Sequence, residues 1–276
     1  MATGTQVRHW PGMRSEHAVL PPHEGTTVTG ADQIGISFSA HQDVRFTLDG
    51  RAGSTTIRPG SAVVSGRREI TWVDVREPTE ALEIYPDPAL VAATVAELTA
   101  HPVEDTAVRI GVPDGVVLAA GSVLRRVHLG AAGLTDVAAS TIAHRLALHL
   151  VERYRGVAVR RHLPGRLDPR TVDRVVQRIE AGLDGVLTLD ALAEVARLSP
   201  FHFARAFKAT TGLTPHELVT ARRMDRAATL LTTTALPVAE IAGRVGFSNV
   251  GHFRRLFARH HAIGPSALRT PQDPTL

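Results

Sequence analysis

Two stretches of this chain, 49 to 50 residues apart, carry matching residues at matching places, and a repeat of that kind commits both stretches to one local fold. Leu192, Ala193, Leu198 and Ser199 recur as Ile241, Ala242, Phe247 and Ser248. After a one-residue insertion, His202, Phe203, Phe207, Pro215 and Leu218 recur as His252, Phe253, Phe257, Pro265 and Leu268. In the first copy, Leu189 to Ala196 has the spacing of a short amphipathic helix and Arg197-Leu198 makes a tight connection. Ser199 then starts a second helix with Pro200 as its first residue: the hydroxyl accepts from an orphan N–H, and proline has none to satisfy. Phe203, Ala206 and Phe207 fall on one face of that helix and Phe201, Ala204, Arg205 and Lys208 on the other. The second copy places Phe253, Leu256 and Phe257 inward and Asn249, Gly251, Arg254 and Arg255 outward, behind Ser248 as the cap.

A short helix, a tight turn and a second helix with a polar, basic outer face is the helix-turn-helix plan. The major groove of DNA is about 12 Å wide and admits one α-helix, whose early residues meet base edges. Between the copies, Leu218, Ala221, Met224, Ala228 and Leu231 keep helical spacing from Glu217 to Thr232. A straight helix of about 16 residues spans roughly 24 Å, enough to aim two reading helices at successive grooves. Charge agrees in sign: residues 164–276 hold 15 basic and 10 acidic side chains, and the remainder holds 16 and 17. Double-stranded DNA is the expected partner.

The N-terminal part has a different texture. Short apolar segments at Ile34–Phe38, Val44–Leu48, Ser54–Ile57, Ala62–Ser65, Ile70–Val75 and Ala81–Tyr85 are separated by turn residues, among them Asp49-Gly50 and Pro59-Gly60. This predicts an antiparallel barrel or sandwich. After Pro86 and Pro88, Leu90, Val91, Thr94, Val95 and Leu98 share a helical face, and further helices are expected at Val116 to Arg126 and Leu134 to Arg155. The last is apolar around much of its girth. Val137, Thr141, Arg145 and Leu148 share one stripe, with Ile142, Leu146, His149 and Val151 near it; such a helix buries more than one face, either inside one monomer or against the β domain on one side and a second subunit on the other, and a homodimer is the reading adopted.

The C-terminal residues resemble the AraC/XylS transcription regulators over about Leu187 to Arg269. The match runs through Leu198-Ser199-Pro200-Phe201-His202-Phe203, Phe207-Lys208, Thr211-Gly212-Leu213-Thr214-Pro215, Ile241-Ala242, Val245-Gly246-Phe247-Ser248, His252-Phe253 and Gly264-Pro265-Ser266. The resemblance implies that Phe201, Ala204 and Arg205 read bases in one half-site, and that Asn249, Val250, Gly251, Arg254 and Arg255 surround the second reading position. Ser199, Lys208, Ser248 and His252 are the candidates for phosphate contacts. Two departures stand out. Arg197 occupies a turn position where the family usually has glycine, and His260-His261 replaces a common basic pair, at the expense of one phosphate contact. The N-terminal part is more loosely similar to the family's cupin-like sensor domains, through its strand rhythm and Arg58-Pro59-Gly60. It follows that a small-molecule effector and, for activation, RNA polymerase join DNA as expected partners.

The fold expected is α+β: a cupin-like β-barrel or sandwich with dimerising helices over 1–160, a linker at 161–169, and an all-α domain with two helix-turn-helix units over 170–276. With 43% apolar residues and no cysteine in 276, the chain can bury a substantial core and has no disulfide, thiolate metal site or cysteine nucleophile. The first thirty residues hold Pro11, Glu16, Pro21, Pro22 and Glu24 and no apolar run of signal-peptide length; no stretch approaches the roughly 20 apolar residues of a membrane span. A cytoplasmic protein is expected. The rival reading, a cupin-type binding protein or enzyme whose helical part serves assembly, needs a metal cluster or a nucleophile constellation. His9, His17, His23, His41 and His101 are scattered instead, so neither metal, cofactor nor catalytic residue is expected. A second rival is an architectural DNA-binding factor without ligand. Trp10, Phe38, Phe46, Trp72 and Tyr85 are read as core before pocket lining, and no effector-binding residue is assigned.

Overall fold

The computed structural model describes residues 4–99, 103, 105–155 and 165–269. Ten strands come from the N-terminal part: β1 (Gly4–Trp10), β2 (Met13–Leu20), β3 (Thr26–Thr29), β4 (Ile34–Ser37), β5 (His41–Leu48), β6 (Arg51–Ile57), β7 (Ser61–Val64), β8 (Ile70–Val73), β9 (Thr79–Pro86) and β10 (Arg109–Pro113). They form two sheets, ordered β1-β2-β9-β4-β7-β10 and β3-β8-β5-β6, and every recorded pairing is antiparallel. All six expected strands are present. Asp49 and Gly50, at φ 50° and 74°, close the β5–β6 hairpin as that dipeptide should. Strands β1, β2, β3 and β10 were not foreseen; β1 is an edge strand almost wholly exposed, so it lacks the apolar alternation that announces a strand.

One face of the six-stranded sheet is covered by helices. Ile34, Ile36, Leu82 and Ile84 pack against Val117, Ala120 and Leu124 of α2 (Gly115–His128) and Ala139, Ala143 and Leu146 of α3 (Asp136–Tyr154). The short α1 (Pro88–Leu98) lays Val91 and the flanking Leu90, Val95 and Leu98 on Ala147 and Val151 of α3. The outer stripe of α3 is different: Val137 is 79% exposed, and with Thr141, Arg145 and Leu148 it lines an open groove of about 620 Å³.

Helix α2 is buried along nearly its whole length because it packs on both sides. A Cβ at Gly121 would lie 2.1 Å from Ile36 of the sheet, and one at Gly115 would lie 2.7 Å from Val172 and Val176 of α4 (Pro169–Glu180). Val116 and Leu118 accordingly share a core with Val172, Val176, Phe203, Phe207 and Leu218. That second core belongs to α4, α5 (Leu189–Ala196), α6 (Pro200–Thr211) and the start of α7 (Pro215–Thr233). A third core joins Met224, Ala228 and Leu231 of α7 to Ile241 of α8 (Val238–Arg244), Phe253 and Phe257 of α9 (Val250–His261) and Leu268 of α10 (Pro265–Leu268). All five residues expected to line the connecting helix, Leu218, Ala221, Met224, Ala228 and Leu231, are buried. Thr214 and Glu217 fix its start with a reciprocal capping box. The linker positions 161–164, and His101, lie outside the described residues.

A buried polar seam joins the two parts. Arg125 of α2 holds Glu80 of β9 in a bidentate pair, Nε to Oε1 2.6 Å and Nη2 to Oε2 2.7 Å, and also donates to Asp225 of α7. Asp225 takes a second bond from Arg222 at 3.0 Å, and Arg222 donates to the Pro59 carbonyl at 2.8 Å and to Glu180. Gly60, at φ 88°, leaves the space the Arg222 guanidinium fills: a Cβ there would lie 2.8 Å from Nη2. Burial pushes the Glu80 carboxyl up, but Arg125 and His17 outweigh it and hold it well below the usual carboxylate range.

Candidate nucleic-acid interface

The first helix pair, α5 and α6, turns through Arg197, which sits in the left-handed region at φ 55° and donates its N–H to the carbonyls of α5. Ser199 caps α6, accepting from the His202 N–H at 3.4 Å, and its hydroxyl lies 2.7 Å from His202 Nδ1. In the second pair, α8 and α9, Gly246 takes the corresponding left-handed position at φ 78°. The cap there is Asn249, whose carboxamide accepts from the His252 N–H at 2.8 Å, and not Ser248 as the sequence suggested. The reason is the insertion: α6 and α9 are offset by 50 residues throughout, so the extra residue falls in the turn and displaces Ser248 out of the capping position.

Both helices present the faces expected of them. Phe203, Phe207, Phe253 and Phe257 are fully buried, and Leu256 is half-buried against the third core. Outward, Phe201 is 65% exposed, with the Arg205 guanidinium 5.6 Å from its ring centroid. Arg205, Lys208, Arg254 and Arg255 are all exposed, as are Ser199, Ser248, Asn249, Gly251 and His252; Ala204 and Val250 are half-buried. Among the described residues, none of these four basic side chains forms a salt bridge. Two helices at equivalent positions of a repeat therefore each carry two exposed cations outside any salt bridge, beside small or apolar groups, a surface suited to phosphate and base edges.

Arg223 was not foreseen. It donates to the Leu183 carbonyl at 3.0 Å, the Gly185 carbonyl at 2.6 Å and the Gly246 carbonyl at 3.4 Å, so it pins the turn of the second pair to the loop after α4. Its position next to Met224, off the face of Leu218, Ala221 and Met224, gave no sign of that role. His260 and His261 also differ from expectation: both are buried, at 7% and 3% exposure, and turn inward instead of replacing a phosphate contact. They lie beside Asp225 with ligand atoms within 4.8 Å of one another. A cation is disfavoured there, because both carboxylate oxygens of Asp225 are already taken by guanidinium groups. Burial pushes both rings down to about 4, so they are neutral at pH 7.

The five N-terminal aromatics do not gather at one site. Phe38 and Trp10 belong to the core under the helices, Trp72 joins Val44, Ile57 and Val75 with Phe46 edge-on to it at 5.9 Å between ring centroids, and Tyr85 lies under Arg14.

Residues 192–270 match the model of a helix-turn-helix domain family. The chain is 40% identical over 83 residues to an uncharacterized HTH-type transcriptional regulator, YdiP, of Escherichia coli, covering 30% of this chain and 27% of that one. It is 31% identical over 107 residues to the HTH-type transcriptional regulator MtrA of Neisseria gonorrhoeae, covering 39% and 35%. A solved transcriptional regulator from Chromobacterium violaceum, described by its AraC-type DNA-binding domain, is 27% identical, with 38% of this chain and 96% of that chain covered and a TM-score of 0.36. The chain thus spans roughly a third or less of the length of these two curated relatives. Among the described residues, no helix is long and apolar enough to cross a membrane.

Proposed function

We propose that this chain, whose C-terminal residues match a helix-turn-helix domain family and are similar to HTH-type transcriptional regulators, is a DNA-binding transcription regulator of the AraC/XylS type that reads a bipartite operator under control of a small molecule. The two helix pairs are two helix-turn-helix units. Helix α6 reads one half-site with Phe201, Ala204 and Arg205, and α9 reads the other with Asn249, Val250, Gly251, Arg254 and Arg255. Ser199, Lys208, Ser248 and His252 meet phosphates. The 19-residue α7 spans about 28 Å and separates the units by a distance suited to adjacent major grooves.

The single observation carrying this reading is the pair of exposed basic stripes, each on a helix whose opposite face is locked by two fully buried phenylalanines. Positions of the stripes are thereby fixed without any contribution from the residues that face outward. The β-rich part over 1–160 is assigned as a cupin-like effector-sensing domain, with 161–169 as linker and 170–276 as the DNA-binding domain. The outer stripe of α3 is assigned as the homodimer contact, and activation through RNA polymerase as the output, in the cytoplasm.

Selection of bound sequences from random DNA at a stated salt concentration tests the core of this reading. Two half-sites with centres about one helical turn, 10 to 11 base pairs, apart are expected. No sequence-selective retention, or a single undivided site, overturns it.

A further inference from the structure

Each helix pair turns through one left-handed residue, and the two copies fill that position differently. In the second pair it is Gly246 at φ 78°, and the missing side chain matters twice: it frees the backbone, and a Cβ there would lie 2.6 Å from Nη2 of Arg223. In the first pair the matching residue, 49 positions earlier, is Arg197 at φ 55°. Apart from glycines, the described residues with positive φ are Asp32, Asp43, Asp49 and Asp74, whose short polar side chains bond to nearby backbone, and Arg197 and Ala262, which lack that compensation. Glycine at 197 would relieve the strain, so the turn itself does not require an arginine.

The fold does not use the guanidinium either. Arg197 is exposed, and among the described residues its side chain forms no hydrogen bond, salt bridge or cation–π contact; Glu194, one helical turn back and also exposed, does not pair with it. A cation at the end of α5 complements the helix dipole, but at an exposed site that effect is screened, and glycine is the usual residue in a left-handed cap. Arg223 gives the contrast. Its guanidinium is taken up by the carbonyls of Leu183, Gly185 and Gly246, so the second turn holds a tied guanidinium and the first a free one. Position supplies the partner. In a helix pair of this kind the second helix enters the groove while the first crosses the phosphate backbone, so the junction between them lies at the groove's rim. Two trans peptide steps keep the Arg197 Cα within about 7.6 Å of that of Ser199, the cap of α6, beyond which Phe201 and Arg205 continue the exposed stripe. Base edges lie deeper in the groove, and phosphates line the rim.

We infer that Arg197 is a phosphate-binding residue: its guanidinium holds one DNA phosphate beside the half-site read by α6, a contact that Gly246 cannot make at the turn of the second unit. This rests on the reading of α6 as a DNA-reading helix. It deepens that reading by making the two half-sites unequal, the first held by one phosphate more at its turn.

The test takes the full chain and the duplex recovered by selection from random DNA, in binding titrations at several salt concentrations. Arg197→Gly should lower the slope of log affinity against log salt by about 0.9 and weaken matched and mismatched duplexes by the same factor. Arg197→Lys, which keeps the charge, should keep most of the slope. Ala262→Gly, which relieves the same kind of strain after α9 and removes no charge, should leave it unchanged. In urea denaturation Arg197→Gly should be more stable than wild type, so stability and DNA affinity move in opposite directions. Methylphosphonate substitution, one phosphate at a time, locates the contact: at one position flanking the α6 half-site the neutral linkage should weaken wild type and leave Arg197→Gly no weaker. An unchanged slope in Arg197→Gly, a loss of stability in step with the loss of binding, or equal sensitivity of wild type and Arg197→Gly to every neutral linkage overturns the proposal. The two readings fail separately. If selection recovers no preferred duplex, the reading of α6 falls and this contact with it; a preferred duplex bound alike by wild type and Arg197→Gly removes the contact alone.

Discussion

Replacing Arg125 by Met removes the charge at the centre of the seam between the sheet and the DNA-binding domain while keeping most of the side chain's volume. The Arg125 side chain is 3% exposed, and its guanidinium serves Glu80 through two bonds and Asp225 through a third. Deleting one partner of a buried ion pair typically costs about 3–5 kcal/mol, because the other charge stays buried without compensation. Here two carboxylates are left, but neither is bare: Glu80 keeps His17 at 2.9 Å and Asp225 keeps Arg222 at 3.0 Å. The low end, about 3 kcal/mol, is therefore expected. For a chain of this size each kcal/mol moves the midpoint by roughly 2–4 °C, giving a fall of about 6–12 °C.

Differential scanning calorimetry of the full chain supplies the readout. Because the seam couples two cores, the variant is also expected to split one cooperative transition into two. Adding Glu80→Gln and Asp225→Asn to Arg125→Met removes the stranded charges and should recover most of the loss, since a buried ionic group replaced as a whole is often nearly neutral. A midpoint within 1 °C of wild type for the single variant would refute the reasoning: the guanidinium would then not be buried between the two acids.

Four further outcomes are expected. On DNA, Arg205→Ala should lose about 1–3 kcal/mol and relax base preference in one half-site only, whereas Lys208→Ala should weaken all sequences alike and lower the salt slope by about 0.9, both read by binding titrations at several salt concentrations. Ala262, exposed and left-handed at φ 59° after α9, stands where Gly212 follows α6; Ala262→Gly should gain about 0.5–1 kcal/mol in urea denaturation, relief of strain being partly offset by unfolded-chain entropy. Gly121→Ala drives a methyl into Ile36 and should destabilise by about 1–3 kcal/mol in the same assay. Burial lowers His128, His260 and His261 from 6.5 to about 4, so their contribution is complete above pH 6.5 and is lost as pH falls toward 4; Glu83, raised from 4.5 to about 7, acts in the opposite sense but is one group against three, and denaturation midpoints should fall between pH 7 and pH 5.

The parts of the molecule visible in its sequence are those where one face is buried and one is wet. Phe203 and Phe207 against Arg205 and Lys208 is a 3.6-residue pattern, and β5 and β6 announce themselves through Asp49-Gly50. The cap of α9 was misplaced by one residue because Ser248 and Asn249 are both good N-caps, and only the backbone decides between them. Strand β1 escaped notice because it pairs with β2 alone and turns almost every side chain to solvent. Glu80, Arg125, Asp225 and Arg222 are far apart in sequence, and nothing in local spacing links a carboxylate in a strand to a guanidinium 45 residues later or to an acid 100 residues beyond that.

Helix α2 is the more instructive case, since its residues were read as a helix but not as the element joining the two parts. Its apolar side chains run almost without interruption, Val116, Val117, Leu118, Ala119 and Ala120, so no face is marked as the inner one. The structure supplies the reason: Val117, Ala120 and Leu124 serve the sheet, and Val116 and Leu118 serve the core behind α6. Two glycines set the spacing, Gly121 on the sheet side and Gly115 on the α4 side, and neither position tolerates a Cβ without movement of a neighbour. Any displacement of α2 relative to the sheet is thus felt at the back of α6 through packing, and at α7 through Arg125. The buried cores do not divide at the boundary the sequence suggested, since α2 belongs to two of them. Under the proposed function, α2 is the packed route by which a ligand in the β-rich part would act on α6 and α7, because close-packed interfaces rearrange between discrete packings rather than deform smoothly.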